Sequence, residues 1–357
     1  MMVPPVFSQL SLNQTELNKI TAAKTVIGDS LNIGGISVDG AVTTLAQTGN
    51  VTLHTAGNIA VNKALTIAST KTLTLNGAGA SSTISQASIN AGITADKVEF
   101  LGNNSTVTLE PTGTTSPSAN KIGVIAGKVK SFALTNQGNL TVGVVNGTTG
   151  LTAANDIKLT TTAVTGTALN ILNSIESKFG NVEINATTSD TTTPTSDAIA
   201  AVQSSALVKG EDITMNAVAL GITGKTLGYR GAGIDGKFEA SNNLTLIAST
   251  QNTGSGFYMY RGALTALNTL TIEGTSALGQ GVGFDGPGTT PSVTVTSGNG
   301  ITIKGTASNS TSSVHLDAIN LKNVNLTNSL GAVTLQAIKG DIKTKGTGTL
   351  IQNGNGI

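Results

Sequence analysis

The chain has 357 residues, 38% of them hydrophobic and so enough for a sizeable buried core, yet only 11% are charged and 3% aromatic. Globular enzymes carry about a quarter charged residues, and a formal net charge of +1 without a basic block gives no electrostatic support for holding a phosphate backbone. The absence of cysteine excludes disulfides and thiolate metal sites, and no apolar run approaches the roughly 20 residues of a membrane helix.

Met1-Met2-Val3-Pro4-Pro5 has neither the basic nor the apolar region of a signal peptide. The last residues, Gly354-Asn355-Gly356-Ile357, offer no polar cap. That abrupt end leads us to expect a segment cut from a longer protein, for which a missing signal says little about location. Glycine, threonine, asparagine, alanine and serine supply most of the polar and small residues. Ile, Leu and Val nevertheless recur in alternating triplets, a regularity that disordered chains lack.

Residues 10–48 open with Leu10-Ser11-Leu12-Asn13-Gln14-Thr15-Glu16-Leu17. Asn13 followed three residues on by Glu16 has the form of a capping box and predicts one short helical turn. Thr25-Val26-Ile27-Gly28, Leu31-Asn32-Ile33 and Ile36-Ser37-Val38 then alternate as short strands do.

Residues 49–110 carry the clearest unit, Gly-Asn followed by apolar, small or polar, apolar. It occurs as Gly49-Asn50-Val51-Thr52-Leu53 and again as Gly57-Asn58-Ile59-Ala60-Val61. Gly-Asn tolerates positive φ and so turns the chain. The triplet has the period of two of a half-buried strand. Further triplets are Leu65-Ile67, Leu73-Leu75, Thr83-Ile84, Ile93-Thr94, Val98-Phe100 and Val107-Leu109. Every third start is separated by about 22–25 residues, which suits one coil of a three-sided solenoid.

Residues 111–160 loosen around Pro111 and Pro117, and the pattern resumes at Ile122-Ala126, Phe132-Leu134, Leu140-Val142 and Ile157-Leu159. Ala168-Leu169-Asn170-Ile171-Leu172-Asn173-Ser174-Ile175 favours neither period and is a candidate helical insertion. From 157 the repeat lengthens. Triplets begin at Ile157, Val182, Ile213, Leu244, Leu270, Val293 and Val324, 23–31 residues apart. A second marker runs beside them: Tyr229-Arg230-Gly231-Ala232, Tyr260-Arg261-Gly262-Ala263, Phe284-Asp285-Gly286-Pro287 and Leu316-Asp317-Ala318. On that alignment the chain's two arginines share one repeat position, and so do Asp285 and Asp317. All seven prolines fall outside the triplets, as a ladder that needs every N–H requires.

These features predict an all-β fold, a parallel β-helix with loop insertions. Residues 1–150 form a section of coils of about 22–25 residues, and 151–357 continue the same solenoid in 23–31-residue repeats. Each strand is too short to stand alone and is stabilised by its neighbours, so stability sums over coils and their interfaces.

The motifs Leu17-Asn18-Lys19-Ile20-Thr21-Ala22, the two Gly-Asn units and Ala91-Gly92-Ile93-Thr94-Ala95 resemble the repeats of filamentous-haemagglutinin-type exoproteins. Leu270-Thr271-Ile272-Glu273-Gly274-Thr275 and Ile301-Thr302-Ile303-Lys304-Gly305-Thr306 resemble those of the related high-molecular-weight adhesins. The resemblance covers most of the chain and implies a right-handed parallel β-helix on a Gram-negative surface. It also implies export by two-partner secretion through an outer-membrane barrel transporter, and roles in adhesion, aggregation and virulence. The Asn-Pro-Asn-Gly signature of the family's secretion domain and an Arg-Gly-Asp triplet are missing, so the expectation is a shaft segment.

Catalysis has little raw material. The two histidines, His54 and His315, are far apart; His54 follows a triplet and is expected in a turn or on the surface, and His315 faces outward by alternation. The adjacent acids Glu211-Asp212 fit a turn before Ile213. No catalytic residue, metal ligand or cofactor is assigned. The binding candidates are Tyr258, Tyr260 and Arg261 in Phe257-Tyr258-Met259-Tyr260-Arg261, with Tyr229 and Arg230 one unit earlier. Tyrosine stacks on a sugar face and arginine forks to a carboxylate. The alternative places Phe257 and Met259 in the core with the others covering a loop. Asn-x-Ser/Thr triplets such as those at Asn50, Asn139 and Asn243 fit glycosylation acceptors.

The sequence therefore points to an extracellular structural and binding segment whose partners are host-cell or matrix glycans or proteins, or sister filaments, with no nucleic acid and no membrane span. Two other classes remain open. One is an ice- or surface-binding solenoid, which needs one flat face of aligned threonines. The other is a β-helical polysaccharide-degrading enzyme, which the sparse carboxylates disfavour.

Overall fold

The computed structural model describes residues 12–111, 120–190, 197–201, 206–220, 232–251, 253–287, 292–309, 316–345 and 350–353. They form a parallel β-helix. Val51 pairs with Leu73, Leu73 with Val98, Val98 with Ile125 and Ile125 with Val142, each one coil below the last. From Leu151 onward the chain makes three strands per coil, and each strand as far as Val324–Asn328 pairs in parallel with the third strand after it. Three ladders result, as a three-sided coil requires. Their inward side chains make one continuous core in which Leu73, Ile84, Leu134, Ile184, Leu246 and Ile303 are fully buried. Each such side chain contributes about 1.5–3 kcal/mol.

The long face carries Ile157–Ala163, Val182–Thr188, Ile213–Ala219, Leu244–Thr250, Thr269–Ser276, Gly300–Ala307 and Val333–Lys339. The first short face includes Leu169–Ile171, Ala232–Ile234, Phe257–Met259, Val282–Asp285 and Asp317–Lys322. The second includes Ile175–Ser177, Lys237–Ala240, Gly262–Ala266, Val293–Ser297 and Val324–Asn328. The triplet series read from the sequence changes faces partway. Leu270 continues into Ile301, whereas Val293 and Val324 belong to the second short face and pair with each other. All three faces use the same apolar–polar–apolar triplet, so spacing alone does not distinguish them.

Two 17-residue strands, Ile93–Leu109 and Lys121–Gln137, run round the corners and pair with each other along their length. They are where the cross-section changes. On its far side, Lys121–Gln137 meets three separate strands: Leu140–Val142, Leu151–Ala153 and Ile157–Ala163. The early long face, which carries Asn50–Thr55 and Thr72–Gly77, therefore divides into the two short faces of the later coils, and the later long face is a different ladder. At the division the chain leaves the ladder as an antiparallel hairpin, Val144–Val145 against Thr148–Thr149. Asn146 and Gly147 turn it with φ of 49° and 89°, the paired positive φ that matches strand twist.

Other expectations meet the structure directly. The capping box is present: Asn13 caps the helix Gln14–Leu17, with Glu16 returning the bond. The Gln14 amide then acts as a strand residue, accepting from Thr43 N at 2.8 Å and donating to Thr43 O at 2.7 Å. Gly49 turns the chain at φ 71°. Gly57 has no positive φ, and its lack of a side chain serves close approach instead: a Cβ there would lie 2.5 Å from Gly35 N.

Three expectations are corrected. The candidate helical insertion is two strands, Leu169–Ile171 and Ile175–Ser177, because Leu169, Ile171 and Ile175 all face the core. Leu31-Asn32-Ile33 is a turn. The Asp29 carboxylate accepts from Leu31 N and Asn32 N at 2.7 and 3.0 Å, a local alternative to the ladder, and Leu31 and Ile33 are each 85% exposed. His54 lies within the strand Asn50–Thr55, half-buried between Gly28 and Asn76.

Candidate functional site

The first short face and the corner that follows it carry three of the five predicted binding residues, Tyr258 on the face and Tyr260 and Arg261 at the corner. In Phe257–Met259, Phe257 and Met259 point inward and are fully buried, so alternation turns Tyr258 outward. Phe257 packs on Phe284 of the next coil, ring centroids 5.8 Å apart, which holds the strand rigid beneath Tyr258. The outward residues paired with Tyr258 are Gly233 on one side and Gly283 on the other. The ring leans over Gly283, where an added Cβ would lie 3.2 Å from Tyr258 Cδ2. Asn320 follows Gly283 in the same rank.

Two residues along, Tyr260 and Arg261 round the corner into Gly262–Ala266. The Arg261 guanidinium sits 5.2 Å from the centroid of the Tyr260 ring, a cation–π distance. Arg261 is exposed and both tyrosines are half-buried.

The structure adds Asp285 and Lys322, which spacing did not bring together. Asp285 pairs in register with Lys322, and Lys322 Nζ lies 2.7 Å from Asp285 Oδ1. The Tyr258 hydroxyl donates to Asp285 Oδ2 over a long 3.4 Å. The hydrogen bond from Lys322 to Asp285, then the carboxylate's charge and more weakly Tyr260, hold the Lys322 ammonium above its ordinary pKa. The site is thus a ring platform with a cation at its edge and a neutralised ion pair at its centre. Such a surface can stack on an apolar sugar face and hold a carboxylate at Arg261.

Two sequence alignments fail here. Asp317 does not share a rank with Asp285; it pairs with Asp341 and forms an ion pair with Lys343 at 2.5 Å. Ala232 stacks on Phe257, in the first short face, whereas Ala263 stacks on Lys237, in the second. The two Tyr-Arg-Gly-Ala copies therefore end on different faces, because loop lengths differ between coils. Tyr229, Arg230 and His315 lie outside the described residues.

Glu211 and Asp212 form the turn before Ile213, as expected. Among the described residues no three His, Cys, Asp or Glu side chains gather as metal ligands would, and no helix is long and apolar enough to cross a membrane. No protein-family model, curated protein or solved structure matches this chain.

Proposed function

We propose that this chain is a shaft and binding segment of a large bacterial surface or secreted adhesin. The observation that carries the reading is the pairing of coil on coil from Lys24–Asp29 to Leu350–Asn353, with Tyr258, Tyr260 and Arg261 facing outward on it. A solenoid of this kind is stiff along its axis, because every coil is hydrogen-bonded to the next. It holds a distal partner away from the cell and offers side-chain ranks along its length. Tyr258, Tyr260 and Arg261 supply the contact with a host or matrix glycan or protein. The likeness of the repeats to filamentous-haemagglutinin-type exoproteins favours export through an outer-membrane barrel transporter and a place outside the cell.

The test is the triple variant Tyr258→Ala, Tyr260→Ala, Arg261→Ala. Attachment to epithelial cells and to a panel of immobilised glycans is expected to fall with the β circular dichroism unchanged. Undiminished attachment by the folded variant removes this patch as the contact.

A further inference from the structure

A shallow groove runs parallel to the solenoid axis, on the edge of the long face away from the tyrosine patch. Three successive coils line it at two repeated positions. Asn181, Asp212 and Asn243 stand at the corner, and Glu183, Thr214 and Thr245 are the first outward residues of the face. The buried residues Val182 and Ile213 form its floor. The outward rank continues beyond the groove: Thr214 pairs with Thr245, Thr245 with Thr271, Thr271 with Thr302 and Thr302 with Thr334. Five threonines thus lie in line at the strand spacing, about 4.8 Å apart.

The corner is built before any ligand arrives. Asp212 N donates to Asn181 Oδ1 at 3.1 Å. Asp212 Oδ1 accepts from Asn243 N at 2.9 Å, Asn243 Nδ2 at 3.0 Å and Asn242 Nδ2 at 2.9 Å. Asn268 Nδ2 donates to Asn243 Oδ1 at 2.9 Å, and Asn299 Nδ2 to Asn268 Oδ1 at 2.7 Å. These side chains hold one another, so little order is lost when something docks against them. The threonine hydroxyls of the rank carry no hydrogen bond to another described residue. They are a row of donor–acceptor groups that face solvent.

We propose that this groove binds an extended, neutral, hydroxyl-rich glycan along the solenoid axis, one sugar per coil. The coil spacing is close to the advance of one hexose in a β-1,4-linked chain. Threonine hydroxyls both donate and accept, and the carboxylates of Glu183 and Asp212 accept, which matches the mixed donors and acceptors of sugar hydroxyls. Charge selects within the class. Two carboxylates line the groove without a lysine or arginine, so an acidic polysaccharide is repelled. The cation next along the rank, Lys158, pairs in register with Glu183 and is matched on its other side by Glu110 at 3.3 Å. The ligand class is therefore distinct from the carboxylate-bearing partner that Arg261 suits, and the two surfaces act separately.

Calorimetric titration of the full chain with cellobiose, cellotetraose and cellohexaose tests the proposal. Affinity is expected to rise with chain length, and the Thr214→Val, Thr245→Val variant to lose about tenfold for the hexaose, two hydroxyl contacts being removed while shape is kept. Polygalacturonate hexamers are expected to bind about tenfold more weakly than cellohexaose, and Glu183→Lys to reverse that order. The Tyr258→Ala, Arg261→Ala variant is expected to bind cellohexaose as the unmodified chain does, so failure of this site is told apart from failure of the tyrosine patch. Absence of hexaose binding, affinity independent of length, or an unaltered order with Glu183→Lys overturns the proposal. So does thermal hysteresis without glycan binding, which would make the rank a water-ordering surface.

Discussion

The Glu99 carboxylate accepts the side-chain amide of Asn146, Nδ2 to Oε2 at 3.0 Å, across 47 residues of chain. It also accepts the Thr74 hydroxyl at 2.9 Å and the Thr148 hydroxyl at 2.6 Å. Thr74 and Glu99 pair in register on the outer side of the early long face, and both are nearly buried. The hairpin that leaves the ladder where this face divides folds back over them. A carboxylate thereby ties the hairpin to the coils that precede the change of cross-section.

Removing that carboxylate strands the Thr74 and Thr148 hydroxyls and leaves the Asn146 amide only Thr74 Oγ1 at 3.2 Å. Glu99→Ala is expected to cost about 2–4 kcal/mol, and Glu99→Gln, which keeps one acceptor, about 1–2 kcal/mol. Urea unfolding measures both. In hydrogen exchange, the amides of residues 144–149 are expected to lose protection first; equal loss along the whole solenoid would show that Glu99 does not act through the hairpin.

Stability should depend on pH at both extremes. The side chains of Asn62 and then Ser37 donate to Asp39, both contacts at 2.7 Å, and hold its pKa below the ordinary 3.8. That contribution is complete above the unfolded value and fades as pH falls through the lower folded one. Lys322 behaves oppositely. Its pKa is raised above 10.5 by Asp285, so its contribution is complete below that value and is lost as pH rises through the folded one. In an NMR titration the Lys322 midpoint is expected above 10.5 and to fall in Asp285→Asn. A midpoint at or below 10.5 in the unmodified chain contradicts the ion pair.

The core is sensitive to volume at the junction of the two sections. Phe132 is 1% exposed and meets Phe100 of the preceding coil edge-on, centroids 5.0 Å apart. Phe132→Ala is expected to cost about 3–5 kcal/mol, and Phe132→Leu less, since it refills part of the space. Chemical unfolding with circular dichroism separates the two.

Two glycines differ in what they tolerate. Gly49 has φ 71°, and a Cβ there would lie 2.2 Å from Ala22 O, whereas nothing lies within 4 Å of a Cβ at Gly40. Gly49→Ala is expected to lose about 1–3 kcal/mol and Gly40→Ala to stay within about 0.5 kcal/mol. Equal midpoints in urea would show that the Gly49 corner can relax.

The five threonines that continue the Glu183 rank, Thr214 to Thr334, are each the middle residue of an apolar–Thr–apolar triplet, but triplets of that form occur on more than one face, so their stacking in one rank was not legible. Alternation was enough to place Tyr258 outside and Phe257 and Met259 inside, since burial of every second residue is a local property. It was not enough to place Asp285 beside Lys322. That pairing depends on how many residues each intervening loop takes, and loop length leaves no mark on the triplets it joins. The same ignorance of loop length misaligned Asp285 with Asp317 and moved Val293 into the wrong ladder. Leu31-Asn32-Ile33 shows the opposite limit: a correct period lost to the Asp29 carboxylate, which satisfies the local backbone first.

The amino-acid order alone determined that this chain is a coil-on-coil β-helix, because short strands with one apolar side are stable only when stacked. It also determined where glycine must turn the chain and which residues alternate inward. Only the folded molecule decided which triplets share a face, where one long face becomes two short ones, and which side chains meet across coils. Those relations are set by register, and register depends on the chain between the strands, where the order of apolar and polar residues exerts no pull.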